Sequence, residues 1–210
     1  MKLKIYFIAL FAVALVFTEC KKKKKNDTVT PVAPTYTDVC TGNPSDTKYI
    51  PLTVGNSWTY NAGLILPVTS TVTKDTVAFG KTYFVATYTP AGLFPKSYQR
   101  YNASGALVAL DSLAQGKGTE AVVIPGTPTV GTFINNAAGV SSVINTNASL
   151  PTSAGCSYTG LLQIQAQPTG QPTITYYYKK GVGLVYLSCS GAAGGSCNFN
   201  TAYLSSMTIH

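Results

Sequence analysis

From Tyr49 onward, apolar and polar residues alternate with a period of two, the spacing of strands. Leu162-Gln163-Ile164-Gln165-Ala166-Gln167 is the clearest case. It places Leu162, Ile164 and Ala166 on a core face and the three glutamines in water. Thr173 to Tyr178 repeats the pattern, while Thr82 to Thr89 is apolar on both faces, as expected for a central, covered strand. Leu107 to Gln115 is the one stretch whose spacing fits a short helix, and it fits another strand equally well. Gly and Pro punctuate these runs at intervals suited to turns. The pattern predicts an all-β chain: a single antiparallel domain, residues 49–210, with a strongly curved sheet (a half-barrel, an open barrel or a sandwich).

The N-terminal residues break this pattern. Met1-Lys2-Leu3-Lys4 precedes an apolar run from Ile5 to Phe17, then Thr18-Glu19-Cys20 and five lysines, Lys21 to Lys25. The run is too short for a membrane span, which needs about 20 residues, and has the length of a signal-peptide core. Residues 1–19 are therefore expected to be a lipoprotein signal peptide, with Cys20 the lipidation site. Phe17 and Glu19 depart from the Leu-like and small residues usual at those two positions, so an ordinary secretory signal is the alternative. Each buried acyl methylene is worth about 0.8 kcal/mol, so two or three chains anchor durably where one binds reversibly. Residues 20–48, rich in Lys, Thr, Pro and Asp, are expected to form a lipid-anchored tether.

The formal charge of +8 changes meaning once it is located. Outside the signal and the lysine run, eight basic residues face six acidic ones, so the body is nearly neutral. One arginine and no basic stripe argue against nucleic acid. With Cys20 lipidated, Cys40, Cys156, Cys189 and Cys197 remain, an even number suited to an oxidising compartment. Cys189 and Cys197 flank a Gly/Ser/Ala loop and are expected to pair, leaving Cys40 for Cys156. The only histidine is His210, which leaves no zinc ligand set and no base for a nucleophile. No metal, cofactor or catalytic residue is assigned. Asp75, Asp111 and Glu120 are read as exposed, solubilising charge.

Two motifs carry a resemblance. Pro51-Leu52-Thr53-Val54-Gly55-Asn56-Ser57-Trp58-Thr59-Tyr60 resembles the P-L-x-x-G-N-x-W-x-Y opening of a group of uncharacterised Bacteroidetes lipoproteins, and Tyr178 to Val185 resembles their Y-x-x-G-V-G-L-V closing motif. Ile124 to Phe133 is similar to a degenerate second copy of the opening, with Phe133 in the tryptophan position. The group is similar to the TapB-like domains of unknown function, and the resemblance implies a curved antiparallel sheet akin to periplasmic lipoprotein-carrier half-barrels. The residues read the same way. Gly55-Asn56 suits a turn with positive φ, Trp58 and Tyr60 then share a strand face, and Gly181 and Gly183 permit a bend or bulge.

Two further features are candidates for function. Four of the five aspartates precede Ser or Thr, and Asp27-Thr28-Val29, Asp75-Thr76-Val77 and Asp111-Ser112-Leu113 resemble a D-[ST]-apolar O-glycosylation acceptor at Thr28, Thr76 and Ser112. Ordinary Asp-Ser/Thr turn chemistry is the alternative. In the run Tyr176-Tyr177-Tyr178, inward-pointing Tyr176 and Tyr178 would leave Tyr177 exposed as a ligand face. The leading expectation is a non-catalytic, lipid-anchored envelope domain, most simply in the outer membrane. It would bind a glycan or an envelope protein through an exposed sheet face. The alternative is a half-barrel carrier sheltering an apolar, lipid-like ligand. A third reading, an envelope hydrolase, has no named residues.

Overall fold

The computed structural model describes residues 34–63, 66–110, 118–136, 139–153, 155–168, 172–191, 197 and 200–210. The first six strands are β1 (Ser57–Asn61), β2 (Val68–Ala78), β3 (Lys81–Thr89), β4 (Ser97–Tyr101), β5 (Leu107–Leu110) and β6 (Glu120–Ile124). The second six are β7 (Phe133–Asn136), β8 (Gly139–Ser153), β9 (Cys156–Pro168), β10 (Thr173–Lys179), β11 (Gly183–Ser190) and β12 (Thr201–Thr208). Among the described residues there is no helix; of the Leu107–Gln115 stretch, Leu107–Leu110 is strand and residues 111–115 lie outside the described residues.

All twelve strands form one antiparallel sheet in the order β6-β5-β4-β3-β2-β1-β12-β11-β10-β9-β8-β7. The chain starts mid-sheet, meanders to the β6 edge, resumes at the β7 edge and returns until β12 pairs with β1. β6 and β7 lie side by side without a hydrogen-bonded ladder, so the sheet curls into a nearly closed barrel. Bulges supply the curvature. Register shifts interrupt β1–β12 at Thr59/Tyr60, β2–β3 at Val72/Lys74 and β10–β11 at Tyr177/Tyr178.

This meander puts the connections β1–β2, β3–β4, β5–β6, β7–β8, β9–β10 and β11–β12 at one end of the barrel. The other end is closed by the N-terminal segment. Tyr36 and Ile209 exchange backbone hydrogen bonds of 2.7 and 2.9 Å. Asn43 N donates to Gly181 O at 2.9 Å, and Gly181 N donates to Lys48 O at 2.8 Å. Cys40 is bonded to Cys156, and Tyr158 Oη donates to Val39 O at 3.1 Å. Residues 34–48, expected to belong to the tether, are thus part of the folded body. Their polar composition hid this, because backbone hydrogen bonds, a disulfide and two isolated apolar side chains, Tyr36 and Val39, make the attachment without a periodic apolar face. Cys20, the lysine run, Thr28 and the signal region lie outside the described residues.

The two opening-motif aromatics behave as expected. Gly55 has φ +99°, and Trp58 and Tyr60 line the same interior space. Trp58 is 4 % exposed and donates from Nε1 to Val182 O at 2.6 Å. Asn56, wholly buried, is satisfied on both ends: Nδ2 donates to Pro51 O and Oδ1 accepts from His210 N, each at 2.9 Å. The expected second copy holds in the backbone but not at its aromatic position. The bonds Gly131 N to Val143 O, Val143 N to Thr132 O and Thr132 N to Thr129 O repeat Gly55 N to Val72 O, Val72 N to Asn56 O and Asn56 N to Thr53 O. This puts the buried Ile134 in the place of Trp58. Ile124 ends β6 in the core, but Phe133 is 71 % exposed and is no counterpart of Trp58.

Candidate ligand cavity inside the curved sheet

The bulges leave the barrel incompletely filled. Among the described residues three interior spaces stand out, and the largest of these, about 420 Å³, is lined by residues of β1, β2, β3, β10, β11 and β12. Tyr60, Tyr88 and Tyr176 are its aromatic walls, and Ile174, Leu184 and Leu187 pack between them. A second space of about 290 Å³ lies at the β6/β8 side and shares Tyr176. A third, about 210 Å³, reaches toward Trp58 and shares Tyr60, Tyr88 and Leu184 with the first. Tyrosine rings therefore partition one interior. Tyr176 and Tyr178 stack on the same strand face, with centroids 6.1 Å apart.

Among the described residues, no Asp, Glu, Lys or Arg lines any of the three spaces. The phenols are held neutral as well. Burial pushes Tyr60, Tyr88, Tyr176 and Tyr178 above the usual phenol range. Tyr101 is pushed up to about 12 by burial, opposed by hydrogen bonding to the Ile50 backbone. Its hydroxyl accepts from Ile50 N at 3.0 Å and donates to Ile50 O at 3.1 Å. Polar groups of the interior include a neutral cluster, where the Tyr88 hydroxyl meets Ser70 and Ser97 and Gln99 Nε2 donates to Ser97 Oγ at 2.9 Å, and Ser141 in the β6/β8 space. An uncharged wall with a few hydroxyls favours an apolar molecule, because an ionic group placed there would be desolvated without a counter-charge.

The space reaches the surface. Phe94 lines it yet is 40 % exposed, and it holds its ring against Tyr88 at 5.4 Å. Cys189, near the end of β11, is bonded to Cys197. Both disulfides follow the pairing expected from the sequence.

Tyr177 does not form an exposed face. It is half-buried, tilts against Tyr186 at 5.7 Å and packs on the core cluster around Trp58 and Val185. Alternation placed it opposite its neighbours, but both faces of this strand are covered. Glu120 also departs from its expected role as free surface charge. Arg100 grips it through Nε–Oε1 at 2.6 Å and Nη2–Oε2 at 2.7 Å, Lys81 Nζ reaches Oε2 at 3.1 Å, and the Tyr83 hydroxyl donates to Oε1. Hydrogen bonding, chiefly from Arg100, lowers the Glu120 carboxyl to about 2. This cluster ties β3, β4 and β6 together. Asp75 is exposed on β2, and Thr76 beside it is half-buried opposite Tyr83; Asp111 and Ser112 lie outside the described residues.

Sequence reasoning missed Tyr88, Phe94, Leu187 and Ala202 as cavity residues. Their strands read as ordinary covered strands, and only the curvature set by the bulges leaves space between them. Gly181 and Gly183 proved to be packing positions at the β10–β11 turn. A Cβ on Gly181 would meet Asn43 O at 2.0 Å, so the backbone approaches there, but it is the chain's own N-terminal segment that does so.

No protein-family model matches the chain, and no curated protein does. Two solved structures are similar to it. One is a candidate exported protein with a YmcC-like fold from Bacteroides fragilis, 12 % identical, with TM-score 0.42, covering 75 % of this chain and 97 % of its own. The other is a candidate lipoprotein from Parabacteroides distasonis, 13 % identical, with TM-score 0.42, covering 77 % of this chain and 99 % of its own.

Proposed function

We propose that this protein is a non-catalytic, lipid-anchored component of the cell envelope whose barrel shelters an apolar, lipid-like ligand. The observation that carries the reading is the charge-free, tyrosine-lined interior of about 420 Å³, which is open at Phe94. That volume lies within the range of about 300–1,000 Å³ common to small-molecule sites. The lipoprotein-like N-terminus and the two disulfides support an exported, oxidising location. Binding of a glycan or an envelope protein through an exposed tyrosine face loses its named residue, because Tyr177 is packed against Tyr186.

The test is binding of the neutral dye N-phenyl-1-naphthylamine, which fluoresces in apolar surroundings. Wild-type protein should bind it saturably and release it to a long-chain fatty acid. Ala202→Phe, which fills space at the cavity wall, should weaken binding about tenfold or more. Absence of saturable binding by the folded wild-type protein would defeat the proposal.

A further inference from the structure

The open end of the barrel carries a second signal. The β1–β2 and β3–β4 connections are neighbours there, because Thr69 pairs with Thr89 where the two connections meet their strands. Three large apolar side chains stand out from them: Leu66 at 59 %, Leu93 at 46 % and Phe94 at 40 % exposure. Single exposed apolar residues are commonplace, but three on adjoining loops at a cavity mouth form a patch.

Charge is distributed to match. The connections β1–β2, β7–β8, β9–β10 and β11–β12 contain no charged residue, and β3–β4 contains only Lys96, exposed and two residues after Phe94. Asp111 and Lys117 belong to the β5–β6 connection and lie outside the described residues. Among the described residues around the mouth there is thus an apolar tip, one cation and no carboxylate. A surface that is apolar in its interior and presents phosphate at its boundary complements this arrangement.

We infer that the mouth of the barrel docks on a phospholipid bilayer, with Leu66, Leu93 and Phe94 entering the acyl region and Lys96 meeting headgroup phosphate. This inference rests on the apolar-ligand reading and extends it by naming the surface from which the ligand is exchanged. Phe94 joins the two, since one face lines the cavity and the other is exposed at the tip. Tyr36, among the first described residues, pairs with Ile209 at the end opposite the mouth.

The experiment is hydrogen exchange on the full chain, with and without vesicles of phosphatidylethanolamine and phosphatidylglycerol. Peptides containing Leu66 and residues 90–96 should exchange about tenfold more slowly on vesicles, while the closed end is unchanged. The readout is local, so binding through the N-terminal residues does not imitate it. The double variant Leu66→Glu/Leu93→Glu should lose this protection and keep its dye binding, since neither residue lines the cavity. If that variant is poorly folded, Leu66→Ser/Leu93→Ser supplies the same comparison. Unchanged exchange in these peptides on vesicles would overturn the inference, even where wild-type dye binding upholds the cavity. Protection confined to a soluble partner protein, with none on vesicles, would overturn it too.

Discussion

The indole of Trp58 and the backbone of Gly183 occupy space that no side chain can share. Trp58 Nε1 donates to Val182 O at 2.6 Å, and a Cβ built on Gly183 would lie 2.8 Å from that nitrogen. Gly183 also has φ +120°, which L side chains rarely adopt. The opening and closing motifs are therefore two halves of one packing unit. Gly183→Ala should lower stability by about 2–3 kcal/mol through strain and displacement of the indole. Trp58→Phe should cost about 1–3 kcal/mol, leaving Val182 O without its donor. Urea unfolding followed by far-ultraviolet circular dichroism measures both. A change below about 0.5 kcal/mol in either variant would show that the motifs do not meet as described.

The two disulfides differ in span, and their removal should differ accordingly. Cys40–Cys156 closes a sequence separation of 116 and Cys189–Cys197 one of 8. In the chain-entropy model these contribute about 5 and about 2.5 kcal/mol. Serine replacement of the Cys40–Cys156 pair should therefore lower the thermal midpoint more than replacement of the other pair. It should also expose residues 34–48 to limited proteolysis, which the second variant should not.

Much of the fold was legible because backbone period and side-chain chemistry agreed. Leu162 and Ile164 are buried while Gln165 and Gln167 are exposed, as the alternation requires. The limits have a common cause. Residues 34–48 look like a linker because backbone hydrogen bonds, not an apolar periodicity, seat Asn43 and Lys48 on Gly181. Phe133 is the aromatic of the second motif copy but sits one residue before the place of Trp58, on the exposed face of a short edge strand. The cavity was least legible of all. It depends on where ladders such as β1–β12, β2–β3 and β10–β11 slip register, and a slip leaves no mark on the local pattern of Thr82–Thr89 or Thr173–Tyr178.

Glu120 gives stability an acid limb. Its carboxyl is lowered in the folded state to about 2, first by Arg100 and then by the Tyr83 and Lys81 contacts. A depressed carboxyl stabilises the fold above the unfolded-state value, and this contribution is lost as pH falls from about 4.5 toward 2. Glu120→Gln should destabilise by about 1–3 kcal/mol at pH 7, with the gap to wild type closing across that window. Equilibrium unfolding at pH 7, 4 and 3 tests this. A gap independent of pH would exclude the ion pair as its source.

The interior phenols give an alkaline limb of opposite sign. Burial raises Tyr60, Tyr88, Tyr101, Tyr176 and Tyr178, so their neutral forms favour the folded state up to the unfolded value near 10. That contribution disappears as pH rises through the folded values. Absorbance at alkaline pH should show an early group of surface tyrosines and a late group that ionises with unfolding. A single transition near pH 10 from folded protein would contradict the burial of the tyrosine walls.

The central claim is that the barrel interior holds an apolar molecule, and native mass spectrometry of protein gently extracted from its own membranes tests it most directly. Wild-type protein should carry an apolar adduct that organic solvent removes, and Ala202→Phe should carry it at a markedly reduced level. Folded wild-type protein that is uniformly free of such an adduct, or an adduct equally abundant in Ala202→Phe, would contradict the account.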